Sequence, residues 1–368
     1  MKRVLLLVFP ALLSLGAGTA GAAASLDPTH AVPPPPALVA AIALAWTNNP
    51  EIRVLAAGID ITRGEAQSAR AWANPEFSFA PGWKRTRSPG ETQFHGDFSL
   101  EQTFEWPGKR ALRQGLTQAA IAQRRLALDG YRQALAIRLE QAWFNGLTAR
   151  DMTALQSNRL DLATAFVTAA RERSAAGYAS EFEVIKAEAE AVTARKSWQE
   201  SLGQSETAAV IWNSLQGLPP TNAAAWSGTA EIQPPVPELF QLLNLATQTN
   251  PALRLQNAEL ERLGWQTKSV RRSRWPDFTV GPNLEYTREE QIFGLGVRLP
   301  LPLWNDKRGE LATAHASQAQ ARAEAEQLQQ EILTAVTAAA KKLAASQASL
   351  AGFSSTTQAR LASAMNAS

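Results

Sequence analysis

The chain has 368 residues with 36 basic and 33 acidic side chains, so its formal net charge is only +3. This balance argues against the strongly basic surface of a nucleic-acid-binding protein, and no nucleic acid is expected as a partner. The sequence has no cysteine, three histidines and three methionines, which excludes a thiol nucleophile and leaves few soft ligands for a metal or cofactor.

The first 24 residues have the pattern of a secretory signal peptide. Lys2 and Arg3 precede the apolar run VLLLVFPALLSLGAG, and small residues follow as far as Ala24. This order is typical of a cleaved leader. Residues 25–36 are rich in proline, and we expect them to form an extended lead-in. No later run of about 18 apolar residues predicts a membrane helix, so a membrane role would have to use strands.

The rest of the sequence contains an internal repeat. Four anchors recur in the same order at offsets of 198 to 201 residues: LAWTNNP (44–50) with LATQTNP (245–251), NPEFSF (74–79) with WPDFTV (275–280), Trp106 with Trp304, and Lys109-Arg110 with Lys307-Arg308. Four ordered anchors at a near-constant offset predict two copies of one unit. We place the copies at residues 37–218 and 239–368, joined by a Pro-rich linker at residues 219–238.

Each copy is predicted to contain an opening helix, two strands and a long helix. No proline occurs between Gly108 and Leu218, and a helix from residue 108 to 172 would be roughly 95 Å long at 1.5 Å per residue. Such a rod has to pack as a coiled coil. Its inward stripe is predicted from apolar residues at spacings of three and four: Leu128, Tyr131, Leu135, Leu139, Trp143 and Leu147.

A helical hairpin is predicted near residues 173–180. Gly177 suits the left-handed end of a helix, and Ser180 with Glu183 forms a capping box for a return helix at about 181–215. The apolar residues of the return helix are expected to face inward: Phe182, Ile185, Ala189, Val192, Ile211, Trp212 and Leu215.

Four strands are predicted, at residues 76–84, 92–106, 277–287 and 291–303, and each alternates apolar with polar residues. A soluble half-buried sheet uses the same alternation. The leader, the strand length and the attached long helices favour transmembrane β-barrel strands. Four strands cannot close a barrel, and lipid does not tolerate an open sheet edge. Three chains would supply twelve strands, enough to enclose an aqueous lumen.

The two faces of these strands predict different environments. We expect the aromatic residues Trp83, Trp106 and Trp304 at the membrane interface. The polar face predicts a wet lumen wall that weakly favours cations, with the following residues on it: His95, Asp97, Glu101, Glu105, Glu285 and Arg298. Alternate strand residues lie about 6.8 Å apart, so His95 and Asp97 of one chain are not expected to chelate a metal, and no metal site is predicted.

The repeated unit, with ALAWTNNPEI (43–52) at its start and GYASEFEVIKAEAE (177–190) at the hairpin, resembles the TolC-like outer-membrane efflux family over essentially the whole mature chain. The motifs QTFEWPGKRALR (102–113) and LPLPLWNDKRGEL (299–311) are most similar to its CzcC-like heavy-metal cation efflux branch. The resemblance implies an α+β membrane protein, a homotrimer with a twelve-stranded barrel in the Gram-negative outer membrane and an α-helical tunnel in the periplasm.

The resemblance also implies partners. The hairpin tip would meet a periplasmic adaptor protein and an inner-membrane RND-type transporter. By this resemblance, the tip in this sequence consists of Arg173, Gly177, Tyr178, Ala179 and Ser180. Helix capping alone is the alternative role of these five residues. The second copy lacks the counterpart of residues 171–218. We therefore expect a chain shortened by roughly 50–60 residues, judged from the repeat period, that does not form a sealed, gated tunnel alone.

No catalytic motif or nucleotide-binding loop is present in the sequence, so we expect neither an enzyme nor a cofactor. The expected function is passive conduction through a duct whose energy comes from the inner-membrane partner. Metal cations are the first expectation for the substrate. A duct for drugs or for type I protein secretion is the second alternative, and a soluble periplasmic coiled-coil scaffold is the third.

Overall fold

A computed structural model describes residues 36–85, 92–224, 226–228, 238–287, 289–352 and 360. The predicted leader at residues 1–24, nearly all of the 25–36 segment and much of the 219–238 linker lie outside these described residues. The chain divides into two units. Unit 1 comprises residues 1–56 and 128–237, and unit 2 comprises residues 57–127 and 238–368.

The fold is mostly helical with four antiparallel strands, as the sequence predicts. The elements are α1 (Pro36–Asn48), α2 (Pro50–Ser68), β1 (Glu76–Arg85), β2 (Thr92–Phe104), α3 (Lys109–Ala175), α4 (Glu181–Leu215), α5 (Leu239–Thr249), α6 (Pro251–Arg272), β3 (Phe278–Thr287), β4 (Gln291–Arg298) and α7 (Arg308–Gly352). The order of two helices, two strands and a long helix therefore occurs twice. Among the described helices, none is both long enough and apolar enough to cross a membrane.

Each predicted opening helix is in fact two helices that meet at an Asn-Pro pair. A proline disfavours the helical conformation of the residue before it and supplies no N–H, so it suits the first position of a new helix. Asn49 Oδ1 accepts a hydrogen bond from Glu51 N at 3.0 Å. Asn250 Oδ1 accepts one from Ala252 N at 2.8 Å. The two asparagines thus cap α2 and α6 in the same way.

The core of unit 1 lies along the predicted stripe of α3. Leu135 and Leu139 are fully buried, Trp143 and Leu147 are 1% exposed, and Leu128 is also buried. The inward prediction is therefore confirmed for these five residues, whereas Tyr131 is half-buried. Fully burying a side chain of this size contributes about 1.5–3 kcal/mol, so this stripe supplies much of the stability of the unit.

The inward prediction for α4 is confirmed for Trp212, which is buried, but it is wrong for five of the seven residues, including Ala189, and Leu215 is half-buried. Phe182 is 74% exposed, and Ile185, Val192 and Ile211 are also exposed. Small residues mostly occupy the less exposed side of α4, alternating at spacings of three and four: Ala187, Ala191, Ala194, Trp198, Ser201, Ser205, Ala208 and Trp212. Because this heptad-like seam already faces inward, the bulkier apolar residues lie outside it.

A tryptophan cluster closes unit 1 near the start of the linker. Trp143, Trp212 and Trp226 have ring centroids 5.4 to 5.9 Å apart. Arg150 donates to Trp226 O at 2.8 Å and to Gly228 O at 3.1 Å. Aromatic pairs at such separations contribute about 0.5–1.5 kcal/mol beyond their buried area. The cluster therefore fixes residues 226–228 against α3 and α4.

Unit 2 is built around one antiparallel sheet with the strand order β1-β2-β3-β4. Phe79 lies opposite Phe98, and the rings stack at 4.6 Å. The fourth strand ends at Arg298, five residues before the predicted end, because Pro300 and Pro302 supply no N–H to a ladder. The second strand ends at Phe104 instead of residue 106.

In unit 2, the first part of α3 contacts α6. A Cβ atom on Gly115 would lie 2.6 Å from the ring of Trp265, so only glycine fits against this indole. Further along α3, Gln123 Nε2 donates to Glu259 Oε2 at 2.9 Å. Arg262 donates to the same carboxylate through Nε and Nη2, both at 2.7 Å. Steric fit and hydrogen bonding together set this contact between the two helices.

We predict that Gly115→Ala destabilises the protein although alanine is the better helix former. The added methyl would collide with Trp265, and overpacking costs about 1–3 kcal/mol, more than the roughly 1 kcal/mol gained in helix propensity. A Cβ atom on Gly203 of α4 would meet no atom within 4 Å, so Gly203→Ala is the matched control and should raise stability. Thermal unfolding of the purified protein in detergent measures both, and equal shifts would contradict the steric account.

We predict that Glu259 contributes an acid-sensitive part of the stability. Hydrogen bonds from Arg262, which outweigh the opposing effect of burial, lower the pKa of the Glu259 carboxyl. A lowered folded-state pKa means that the contribution is present at neutral pH and is lost as the pH falls below the ordinary range of a glutamate. Glu259→Gln should therefore cost about 0.2–1 kcal/mol at pH 7, and the difference from wild type should disappear in acid. The exposed residue Glu261 provides the control. Glu261→Gln should leave the stability unchanged both at pH 7 and in acid.

Candidate channel wall and hairpin tip

The passage from β2 into α3 is fixed by a carboxylate from the start of the other strand pair. Asp277 Oδ1 accepts hydrogen bonds from Trp106 N at 2.8 Å and from Lys109 Nζ at 2.7 Å. Trp106 stacks on Trp275 with ring centroids 5.1 Å apart. Gly108 has φ +93°, a conformation that side-chain-bearing residues rarely adopt. The WPGKR motif is thus a tight corner whose Trp and Lys are both held by one Asp.

The corresponding passage from β4 into α7 has a different local structure. Lys307 has φ +63°, and it is the one non-glycine residue in the described ranges with positive φ. Asp306 pairs with Arg274 and Arg308, and Lys307 pairs with Glu310. Trp304 is 95% exposed, whereas Trp106 is half-buried. The two copies of the motif therefore place their tryptophans differently.

One face of the sheet is apolar and exposed in the single chain. Its exposed residues include Phe77, Phe79, Trp83, Phe293, Leu295 and Val297. Trp83 packs edge-on against Phe94 with centroids 5.7 Å apart, so this aromatic has a fixed position close to the hairpin end of β1. Monomeric soluble proteins rarely expose an apolar face of this extent. We therefore expect another surface to cover it.

The opposite face carries most of the predicted wall residues in paired form. Arg298 on β4 donates hydrogen bonds from Nη1 and Nη2 to the Glu101 carboxylate on β2, at 2.9 and 3.1 Å. Thr103 and Thr279 share a hydrogen bond at 2.9 Å. Glu105 lies beyond the end of β2, and its carboxylate pairs with Arg113 on α3. Glu105 is therefore a partner of the helix start, which differs from the predicted strand position.

Three of the predicted wall residues meet near the end of the sheet that is remote from α3. His95 Nε2 lies 3.1 Å from Asp97 Oδ2, and His95 Nδ1 lies 3.7 Å from Glu285 Oε1. The expectation that strand spacing keeps His95 and Asp97 apart is wrong. The distance of about 6.8 Å separates the Cα positions, but the side chains lean together, and Glu285 joins them from the neighbouring strand.

The five predicted tip residues lie where α3 turns into α4. Gly177 has φ +77°, and Tyr178 N donates to Arg173 O at 2.8 Å. Ser180 Oγ accepts from Glu183 N at 3.4 Å and caps α4. Tyr178 is 80% exposed, and Ala179 is half-buried. Capping accounts for Gly177 and Ser180, but it gives no role to the exposed Tyr178 ring.

Sequence reasoning missed the anchoring role of Asp277. The alternation places this residue on the polar side of a strand at 277–287, whereas β3 begins one residue later. A signal was available in the first repeat, where NPEFSF also places an acidic residue directly before the strand core. The pairing with Trp106 and Lys109 spans about 170 residues of sequence, and no local pattern predicts such a contact.

We predict that Asp277→Ala weakens the β2–α3 corner. The substitution leaves Trp106 N and the largely buried Lys109 without their acceptor, and loss of a charged hydrogen-bond partner costs about 1.5–3 kcal/mol. Asp60→Ala in α2 is the control, because its ion pair with Arg63 is exposed and should cost under about 1 kcal/mol. Thermal unfolding in detergent compares the two, and equal losses would mean that Asp277 is no anchor.

Comparison with known proteins agrees with this arrangement. Residues 41–211 match the family model described as outer membrane efflux protein. The cobalt-zinc-cadmium resistance protein CzcC of Cupriavidus metallidurans is 26% identical over 284 residues, which cover 76% of this chain and 66% of that protein. The nickel-cobalt-cadmium resistance protein NccC of Alcaligenes xylosoxydans xylosoxydans is 27% identical, and the match covers 74% of this chain and 63% of that protein. The chain thus spans just under two thirds of the length of these relatives.

A solved structure is similar over a still larger part of the chain. The crystal structure of CusC, described in connection with transmembrane channel formation, superposes with a TM-score of 0.68 at 16% identity. The superposition covers 89% of this chain and 79% of CusC, and at this identity it shows a common fold. The family match over residues 41–211, the two relatives and the common fold agree, and together they make this chain similar to outer membrane efflux proteins.

Proposed function

We propose that the protein is the outer-membrane channel component of a tripartite efflux pump and that it conducts metal cations passively to the cell exterior. The observation that carries the proposal is the four-stranded sheet, which exposes an apolar face and has an open edge on each side. β1 and β4 each pair with a single strand among the described residues. A sheet of this kind is complete only when other chains extend it.

The open edges support a homotrimer in the outer membrane. Unpaired strand N–H and C=O groups cost several kcal/mol each in lipid, where water cannot satisfy them. Pairing β1 of one chain with β4 of the next would satisfy both edges at once. Three chains would then give a twelve-stranded barrel with Phe293, Leu295 and Val297 facing lipid and the polar face lining the lumen. Trp83 and Trp304 would lie at the membrane interface.

The α3–α4 hairpin supports a periplasmic tunnel with a docking tip. Its apolar residues outside the small-residue seam remain exposed in one chain, among them Leu162, Phe166, Ile185 and Val192. Neighbouring copies in a ring of helices would cover them. Tyr178 and Arg173 at the tip would then contact a periplasmic adaptor that connects to an inner-membrane RND-type transporter. The energy comes from that transporter, so the chain itself needs no catalytic group.

The substrate proposal rests on the relatives and on the polar face. The two curated relatives are named for resistance to cobalt, zinc, cadmium and nickel. Asp97 and Glu285 supply carboxylates on the proposed lumen side. Glu101 lies on the same face and is paired with Arg298. Rings of carboxylates favour cations. A duct for drugs or type I protein secretion is the alternative for the same fold. A deletion strain would distinguish the two. Sensitivity to cobalt, zinc or cadmium would support the metal duct, whereas sensitivity to detergents and drugs alone would support the alternative.

We predict opposite outcomes for arginine on the two faces of β4. Leu295→Arg places a charge on the proposed lipid face, at a cost of about 2–4 kcal/mol per site near the membrane centre, and should abolish metal resistance in a complemented deletion strain. Ile292→Arg is the matched control, since Ile292 is exposed on the opposite face of the same strand and should retain resistance.

Fractionation tests the same proposal without relying on the substrate. Wild-type protein and the Ile292→Arg variant should sediment with outer membranes and migrate as a heat-sensitive oligomer, whereas Leu295→Arg should be degraded or remain monomeric. Recovery of the wild-type chain in the soluble periplasmic fraction would support the coiled-coil scaffold instead and would overturn the channel.

A further inference from the structure

The polar face of the sheet brings two carboxylates directly opposite each other. Asp97 on β2 and Glu285 on β3 are register partners, and like charges at directly opposite positions destabilise a sheet. His95 lies between them, with Nε2 toward Asp97 and Nδ1 toward Glu285. One ring nitrogen and one oxygen from each carboxylate all lie within 4.8 Å of one another. A positive charge between the two carboxylates would offset their repulsion.

The two nitrogens of His95 differ in their surroundings. Nε2 has Asp97 Oδ2 at hydrogen-bonding distance, 3.1 Å. Nδ1 is enclosed and has no hydrogen-bond partner among the described residues. A neutral imidazole that donates Nε2–H to Asp97 leaves a lone pair on Nδ1, which then points toward the glutamate. A carboxylate that holds one ring nitrogen in this way fixes the tautomer and orients the other nitrogen as a metal ligand.

We propose that His95 Nδ1 and the Glu285 carboxylate bind a divalent transition-metal ion and that Asp97 orients the imidazole. The 3.7 Å between Nδ1 and Glu285 Oε1 suits two ligands that each lie about 2.0–2.2 Å from a zinc ion. Imidazole nitrogen favours zinc, cobalt and nickel over calcium and magnesium, which prefer oxygen ligands. Water completes the coordination, so the site holds the ion loosely.

The position of the site gives it a place on the conduction path. His95 is the fourth residue of β2 and lies at the end of the sheet remote from α3. Gly82 is its register partner on β1, and a Cβ there would approach no closer than 3.9 Å to the imidazole. Conduction through an aqueous duct requires no such site, so this inference goes beyond the proposed function. Its role on the path, but not the binding itself, rests on that function.

The proposal predicts one weak zinc or cobalt ion per chain. Calorimetric titration of the purified full-length protein in detergent with Zn²⁺, and visible absorption with Co²⁺, should both detect it. His95→Gln and Glu285→Gln should abolish binding, and Asp97→Asn should weaken it by about 10–100-fold through loss of the orienting bond. The matched controls are His30→Gln and His315→Gln, which remove the other two histidines, and Glu101→Gln, which removes the nearby paired carboxylate. All three controls should bind as wild type does.

Several results would overturn the site. These are absence of Zn²⁺ binding by the wild-type protein at millimolar metal, equal binding by His95→Gln, or displacement of Zn²⁺ by an equal concentration of Ca²⁺, which would indicate general attraction to an acidic surface. Circular dichroism and heat-sensitive migration of each variant ensure that lost binding is not lost folding. Failure of the proposed function would appear separately: unchanged metal sensitivity of a strain lacking the whole protein would contradict the metal substrate, and recovery of the protein in the soluble periplasmic fraction would contradict the channel.

Discussion

The outer-edge backbone groups of β1 and β4, which have no strand partner among the described residues, are the constraint on which the proposed arrangement of this protein depends. Every N–H and C=O on a strand edge needs a partner, and lipid supplies none. The exposed apolar residues of the same sheet, such as Phe293 and Leu295, favour a lipid environment. In the proposed assembly both requirements would be met together, because copies of the chain would join edge to edge and would carry the long helices that follow each strand pair into a common ring.

The corners between strands and helices convert this sheet into a support for the helices. Asp277 holds Trp106 and Lys109 at the first corner, so the direction of α3 is set by a residue that precedes β3. Trp265 packing on Gly115 sets the position of α6 beside α3. Each contact joins residues more than 100 positions apart in the sequence. Within unit 2, these contacts join the part of the first repeat that this unit contains to the second repeat.

Much of the architecture follows from local sequence signals. The proline-free run from residue 108 predicts α3, and alternation predicts the four strands, because helix and strand periods differ clearly over ten or more residues. The buried stripe of α3 follows from the same periodicity. The Asn-Pro breaks were also readable, since proline at a first helical position is a local effect, although a continuous apolar pattern suggested unbroken helices.

The remaining features could not be predicted because they depend on neighbours. Phe182 and Ile185 resemble core residues by hydrophobicity, but the small residues of α4 occupy the inward seam and leave them exposed. The His95, Asp97 and Glu285 cluster requires the register between β2 and β3, which spacing within one strand does not contain. The absence of cysteine from the sequence makes one decisive test of the edge-to-edge assembly straightforward.

In that test, each variant carries two introduced cysteines, one on β1 and one on β4, and the protein is oxidised in intact cells. Edge-to-edge assembly predicts disulfides between chains at one register, with a ladder of covalent species that ends at three chains. Every crosslink staying within one chain, or a ladder that continues past three, would contradict the closed trimeric sheet and with it the proposed channel.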